Sequence, residues 1–324
     1  MSLTSPLFLF DSSHWGRLEI SGADRLRFLH NQTTNTFQLR QPGEGCETLF
    51  VTSTARTLDL ATAYIQPDRV CLLLSPQRYQ YLLTWLDRYI FPADQVVLTD
   101  KTGETCCFRL IGTQAAETLL SLGVETLPET EHSHNPATIA TLPVLVGKGS
   151  GLSQPGFTLI AAHSDREPLQ EALLQAHPQW IQPLSPEAWE DLRIRDGRPA
   201  ADAELTEDFN PLEAGLWQTL SFDKGCYIGQ ETIARLNTYK GVKQRLWGIE
   251  FKSSSESPPL GPLFNDAGEK IGQLTSLTPT DPIFGLGYLR TKAGGPGTPI
   301  RIENHTGTIV SVPFVRHPEE VVSD

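Results

Sequence analysis

The stretch Phe222-Asp223-Lys224-Gly225-Cys226-Tyr227-Ile228-Gly229-Gln230-Glu231-Thr232-Ile233-Ala234-Arg235 gathers residue types that do chemistry. Gly225 and Gly229 let the backbone turn tightly or approach a ligand, and Gln230 to Ala234 reads as a short helix. Cys226 then stands just before a helix N-terminus and beside Lys224. Both neighbours favour the thiolate, the reactive and metal-binding form of cysteine. The competing reading is a small apolar side chain that packs, the commoner fate of a single cysteine.

A second group of candidates is basic. Arg56, Arg235, Lys240, Lys243 and Arg245 form a positive patch for an anionic ligand on a chain whose formal charge is −12. Taken singly, each reads equally well as a solvated surface charge. Trp189, Trp217 and Tyr227 have rings that stack on a flat ligand, although large aromatics more often fill cores. His132 and His134 are spaced to reach one metal ion from a strand, but no third ligand stands near, so they read as solvated loop residues. Five cysteines without a CxxC pair give no metal or cluster motif and indicate a reducing compartment.

These residues need elements to position them. Phe8 to Ile20 reads as short strands around a turn at Asp11–Ser13, and Gly22-Ala23-Asp24 leads into Arg25 to Asn31, where Leu26, Leu29 and Phe28 face a core. Strands follow at 48–52, 58–65 and 70–74, the second alternating apolar with polar or small residues. Ser75-Pro76 has the cap-plus-proline start of a helix whose apolar face is Tyr79, Leu82, Leu83, Leu86 and Ile90. Strands at 95–98 and 107–111 and a helix over 114–122 that Gly123 stops continue the alternation. Residues 125–143 show no period and read as a loop, with a subdomain break there. Beyond it come strands at 142–146 and 157–161, a helix capped by Asp165, and a helix from Ser185-Pro186 that ends by Gly197. From Gly241 onward only short apolar runs separated by Gly/Pro/Asn/Asp turns remain, the pattern of a small barrel or sandwich.

At 324 residues, with 39% apolar and 20% charged composition, the chain is long enough for two or three packed units and has no signature of disorder. The 26 glycines and 24 prolines point to many turns and short strands, hence an α+β protein. No run approaches the roughly 20 apolar residues of a membrane span, and Met1 to Asp11 lacks the basic lead of a signal peptide, so the expectation is a cytoplasmic protein without membrane association. The acidic balance opposes generic nucleic-acid binding, whose affinity comes from cations on phosphate.

The segment 224–231 resembles the signature KGC[FY]xGQE of the YgfZ family of folate-binding proteins, through Lys224, Gly225, Cys226, Tyr227, Gly229, Gln230 and Glu231. Phe28-Leu29-His30-Asn31-Gln32-Thr33-Thr34-Asn35 resembles the FLQGQxTxD box of that family, and Ala55-Arg56-Thr57-Leu58-Asp59 its GRxxxD turn. Asn210 to Leu216 and Arg193 to Pro199 are similar to the related T-protein, the aminomethyltransferase of glycine cleavage. The resemblance implies a T-protein-like folate-binding region of two α+β subdomains over residues 1–240, followed by a C-terminal β-barrel over 241–324.

It further implies tetrahydrofolate or a derivative as cofactor, with Arg56, Tyr227, Gly229, Gln230, Glu231 and Arg235 at the folate. Chemistry is assigned to Cys226, Lys224 and Asp59, and no metal. The function it implies is support of iron–sulfur enzymes, including radical enzymes that modify tRNA, in their assembly or repair. The alternative is folate-dependent aminomethyl transfer. Two departures weigh against that alternative: Leu60 replaces one residue of an acidic pair, and Arg195 stands where the T-protein has a glutamate on the pterin. Aminomethyl transfer needs groups that manage protons at the folate nitrogen and the departing amine.

Overall fold

The computed structural model describes residues 7–76, 78–252 and 256–317. The chain forms two compact units, one of residues 1–48 and 60–185, the other of residues 49–59 and 186–324.

The first unit is built on two sheets. Its strands are β1 (Leu7–Asp11), β2 (Gly16–Ser21), β3 (Gly45–Val51) and β4 (Thr57–Ile65), the last two of which run on into residues 49–59. They are followed by β5 (Arg69–Leu74), β6 (Val97–Asp100), β7 (Thr105–Ile111), β8 (His134–Ile139), β9 (Leu142–Lys148), β10 (Gly156–Ala162) and β11 (Ile181–Pro183). The five-stranded sheet has the order β3-β4-β5-β2-β6, and the six-stranded sheet β11-β1-β7-β10-β9-β8. The strands β1 and β2, adjacent in sequence, therefore enter different sheets. A tight turn in which the Trp15 N–H bonds the Ser12 carbonyl redirects the chain between them.

Alternation places Cys106, Phe108 and Leu110 of β7 beside Phe157, Leu159 and Ala161 of β10 on one face of the six-stranded sheet. After the helices α1 (Arg25–Gln32) and α2 (Tyr79–Asp87), the helices α3 (Ala115–Ser121) and α4 (Arg166–Ala176) cover that face with Leu119, Leu169 and Leu173. Gly123, at φ +94°, follows α3 as the stop residue the sequence indicates. All nine residues of β4 are buried, although in the sequence apolar residues alternate there with polar or small ones. A strand covered on both faces has no polar side to reveal its period.

Three local expectations are corrected. Residues 125–143 are not all loop, because β8 pairs with β9 through a two-residue turn in which Ala140 and Thr141 both have positive φ. Pro136 and the polar residues around it hid an edge strand. His134, expected in solvent, is 3% exposed and packs edge-on to Tyr64. The helix after Ser75 begins only at Tyr79 and runs to Asp87. Ser75 and Pro76 instead form a preceding turn, closed by the Arg78 N–H on the Ser75 carbonyl.

In the second unit, α5 (Pro186–Asp196) begins with proline at its first position and ends at Gly197, φ +84°. The strands β12 (Gln244–Phe251), β13 (Gly261–Phe264), β14 (Lys270–Leu277), β15 (Phe284–Arg290), β16 (Pro299–Ile302) and β17 (His305–Val310) close into a barrel in the order β12-β15-β14-β13-β16-β17. Trp247, Ile249, Leu263, Leu274, Leu289 and Ile309 fill it. On the other face of β15, the Tyr288 ring stacks on Phe209 at 3.6 Å between centroids and donates its hydroxyl to the Glu204 carbonyl. A buried ion pair adds a second tie, with Arg193 of α5 3.1 Å from Glu204, whose other oxygen accepts from Thr275 and Ser276 of β14.

Candidate folate site

The loop from Lys224 leads into α6 (Gln230–Thr238), whose N-cap is Gly229 in a left-handed conformation, φ +81°. The loop closes on itself, since the Gln230 N–H bonds the Tyr227 carbonyl and the Gln230 Nε2 donates to the Lys224 carbonyl at 3.3 Å. Lys224 is buried, and its ammonium lies 4.4 Å from the centroid of the Tyr227 ring. A desolvated cation over an aromatic face is held by the ring quadrupole. Burial pushes the Tyr227 phenol up to about 12. Cys226 lies on the outside of this arrangement, exposed, three residues ahead of the N-cap.

Gly229 also decides where the loop can sit. A Cβ there would come 2.8 Å from the Thr52 carbonyl oxygen and 3.1 Å from the Ala55 Cα, so the backbone of the loop lies directly against the turn before Arg56. That turn is closed by Thr52, whose hydroxyl accepts the Arg56 N–H and whose carbonyl accepts the Ala55 N–H. Arg56 is half-buried and donates through Nη1 to the Asp208 carbonyl, while the Thr57 N–H bonds the Phe209 carbonyl. The segments 52–57, 206–213 and 224–230 are thus brought together. Asp59, three residues along β4, is fully buried. Glu231 and Arg235 lie on the exposed part of α6.

Two further residues close in sequence to these segments carry information: Glu213, which sequence reasoning did not isolate, and Trp217, one of the rings it offered for stacking. Glu213, inside the Asn210–Leu216 segment, is 5% exposed, and burial pushes its carboxyl up from the ordinary range. Its Oε2 accepts the Asn210 N–H at 3.1 Å, and that bond, with the charges of Arg56 and Lys243, pulls the carboxyl the other way. Trp217, in a single turn of 3-10 helix, has a buried indole N–H with no acceptor among the described residues, and its ring lies 6.0 Å from that of Phe222. A buried donor left without an acceptor is costly unless a ligand or water completes it.

Arg195 has a structural occupation of its own. Its guanidinium bonds Asp191 at 2.7 Å and the Pro282 carbonyl at 2.7 Å, tying α5 to the loop after β14.

The site's segments can be set beside known proteins. A family model, the GCVT N-terminal domain, matches residues 3–224. A chloroplast protein of Arabidopsis thaliana named as a putative transferase is 41% identical over 317 residues, which span 95% of this chain and 72% of that protein. The chain belongs to the GCVT family. An aminomethyltransferase of Shouchella clausii is 28% identical, over 95% of this chain and 86% of its own length. The fold is that of a T-protein: the crystal structure of glycine cleavage system aminomethyltransferase T from Bartonella henselae superposes with a TM-score of 0.84, over 97% of this chain and 88% of that one, at 20% identity. The GCVT match ends at Lys224, so Cys226 and α6 lie beyond the region that the domain model describes. Among the described residues no helix is long and apolar enough to cross a membrane.

Proposed function

We propose that the protein binds a tetrahydrofolate derivative and acts as an accessory to iron–sulfur enzymes, radical tRNA-modifying enzymes among them. The observation that carries the folate half is the contact of Gly229 with the Thr52–Ala55 turn, which joins the two segments that the sequence resemblance assigns to folate. The donor set suits that ligand. Arg56 and Lys243 offer cations to the glutamyl carboxylates, and the Trp217 indole N–H offers a buried donor. When bound, tetrahydrofolate supplies a nitrogen that accepts or delivers a one-carbon unit. Membership of the GCVT family, with relatives named as aminomethyltransferases, supports the same cofactor.

The iron–sulfur half rests on the exposed thiol of Cys226 within the YgfZ-like signature. A reducing, cytoplasmic location goes with this reading, while the name of the Arabidopsis relative places that protein in the chloroplast. Titration of the purified protein with reduced folates, followed by tryptophan fluorescence and calorimetry, tests the folate half; absence of saturation up to millimolar ligand rejects it. Cys226→Ala in a deletion strain tests the other half, and full recovery of iron–sulfur enzyme activity by that variant rejects it.

A second reading, aminomethyl transfer, is favoured by the similarity of aminomethyltransferases along 95% of the chain. Leu60 and Arg195 argue against it, the second because its guanidinium is already committed to Asp191 and the Pro282 carbonyl. Turnover comparable to an authentic T-protein, assayed with the glycine-cleavage carrier protein and tetrahydrofolate, would establish the second reading.

A further inference from the structure

Residues 232–249 hold four cations and no carboxylate, and residues 282–302 hold three cations and no carboxylate, on a chain whose formal charge is −12. The barrel brings the two segments together. β12 pairs with β15 so that Gln244 stands opposite Arg290, and just beyond that pair the Thr291 N–H bonds the Lys243 carbonyl at 3.0 Å. Lys243, Arg290 and Lys292 are exposed around this junction, and Arg235 and Lys240 are exposed on α6 and just after it. Among the described residues no carboxylate forms an ion pair with any of these five.

Arg290 and Lys292 also line, with Lys270 of β14, an open depression of about 740 Å³ whose apolar walls include Ile271 and Pro299. Its acids, Asp266 and Glu269, sit on the turn between β13 and β14, where Glu269 accepts the Asn265 Nδ2 at 2.8 Å. Three cations against two carboxylates leave the depression positive.

Cations gathered in one place repel each other and are stabilised by an anion that spans them. A phosphate chain does this with a negative charge on every unit, whereas a protein surface presents charges of both signs. Tyr239 favours the nucleic acid further. It is 76% exposed, and an aromatic ring left in water beside cations is a stacking platform for an unpaired base. Three residues on, the Val242 carbonyl accepts the Thr291 hydroxyl at 3.2 Å, so at most about 11 Å of chain separates Tyr239 from the junction. The acidic remainder of the chain repels a polyanion and confines contact to this end of the barrel.

We propose that this end of the barrel binds single-stranded nucleic acid, with Lys240, Lys270, Arg290 and Lys292 on the phosphates and Tyr239 stacked on a base. The activity is separate from folate binding, because Lys270, Arg290 and Lys292 belong to none of the segments that meet at Gly229.

Fluorescence anisotropy with a labelled single strand of about 12 nucleotides, in RNA and in DNA form, tests this between about 50 and 200 mM salt. Saturable binding that weakens as salt rises is expected. The double variant Arg290→Gln, Lys292→Gln should bind about tenfold more weakly, with a log–log salt slope smaller by about 1.4, the value of two phosphate contacts. Tyr239→Ala should cost about tenfold, the scale of one stacked base. Lys101→Gln, which removes a cation of the first unit already paired with Glu104, should leave the affinity unchanged. Thermal unfolding checks that each variant is folded. Tighter binding of either nucleic-acid form supports the proposal and identifies the sugar. No binding at the lowest salt, undiminished affinity in the double variant, or an equal loss in Lys101→Gln would overturn it. A polyglutamate peptide that competes as well as the unlabelled strand would overturn it in favour of an acidic protein partner, and wild-type affinity in Tyr239→Ala would overturn the single-strand assignment.

Discussion

Gly229 and Thr52 approach so closely that a single methyl group at Gly229 would lie 2.8 Å from the Thr52 carbonyl oxygen, which is backbone and already bonded to the Ala55 N–H. The loop that carries Cys226 and the turn that carries Arg56 depend on this absence of a side chain. Gly229→Ala adds both the clash and a left-handed conformation that an L-residue adopts at a cost of about 1–2 kcal/mol. We expect a loss of about 2 kcal/mol or more in urea unfolding, together with loss of folate binding. Gly225→Ala is the control, since nothing lies within 4 Å of a Cβ there, and its effect should stay within about 0.5 kcal/mol. Equal effects of the two substitutions would show that the Thr52 contact does not hold the loop.

Thiol accessibility separates Cys226 from the other four cysteines. Cys46, Cys106 and Cys107 are buried, and burial pushes the half-buried Cys71 thiol up to about 12. One thiol should therefore react rapidly with a disulfide reagent in the native protein, and Cys226→Ala should abolish that fast phase. A fast phase that survives in the variant assigns it to another cysteine.

The buried Arg193–Glu204 pair predicts an asymmetric response to mutation. Arg193→Met alone leaves Glu204, fully buried, without its cation, and should destabilise the second unit by about 3–5 kcal/mol. Combining it with Glu204→Gln should recover part of that loss, because the uncompensated charge is gone while the Thr275 and Ser276 hydroxyls keep an acceptor. Chemical unfolding of the single and double variants measures the coupling. A double variant less stable than Arg193→Met would contradict the pairing.

His134 makes the first unit sensitive to acid. Burial pushes its imidazole from 6.5 down to about 4, so the unfolded chain takes up a proton in a range where the folded one does not. Its contribution is complete above about pH 6.5, falls as the pH drops towards 4, and amounts to a loss of about 3 kcal/mol below that. His134→Gln should flatten the pH dependence of unfolding between about pH 4 and 6.5. An unchanged slope in the variant would assign the sensitivity to other groups.

Local signals in the amino-acid sequence were enough to determine the α5 start at Ser185-Pro186, the stop at Gly123, the strand-rich barrel after Gly241 and the position of the Lys224–Arg235 segment. Each depends on neighbours a few positions apart, through a cap, a proline φ or an alternation, and such signals survive whatever the rest of the chain does. Tertiary structure alone decided that β1 and β2 part into different sheets, that β8 is a strand and that His134 is buried. It also paired Arg193 with Glu204, turned the Arg195 guanidinium to the Pro282 carbonyl and set Gly229 against the Thr52–Ala55 turn. These partners lie on different segments of the chain, and no local pattern encodes their meeting. Charge pairing depends on distance in space and on exclusion of water, and both exist only once the chain has packed.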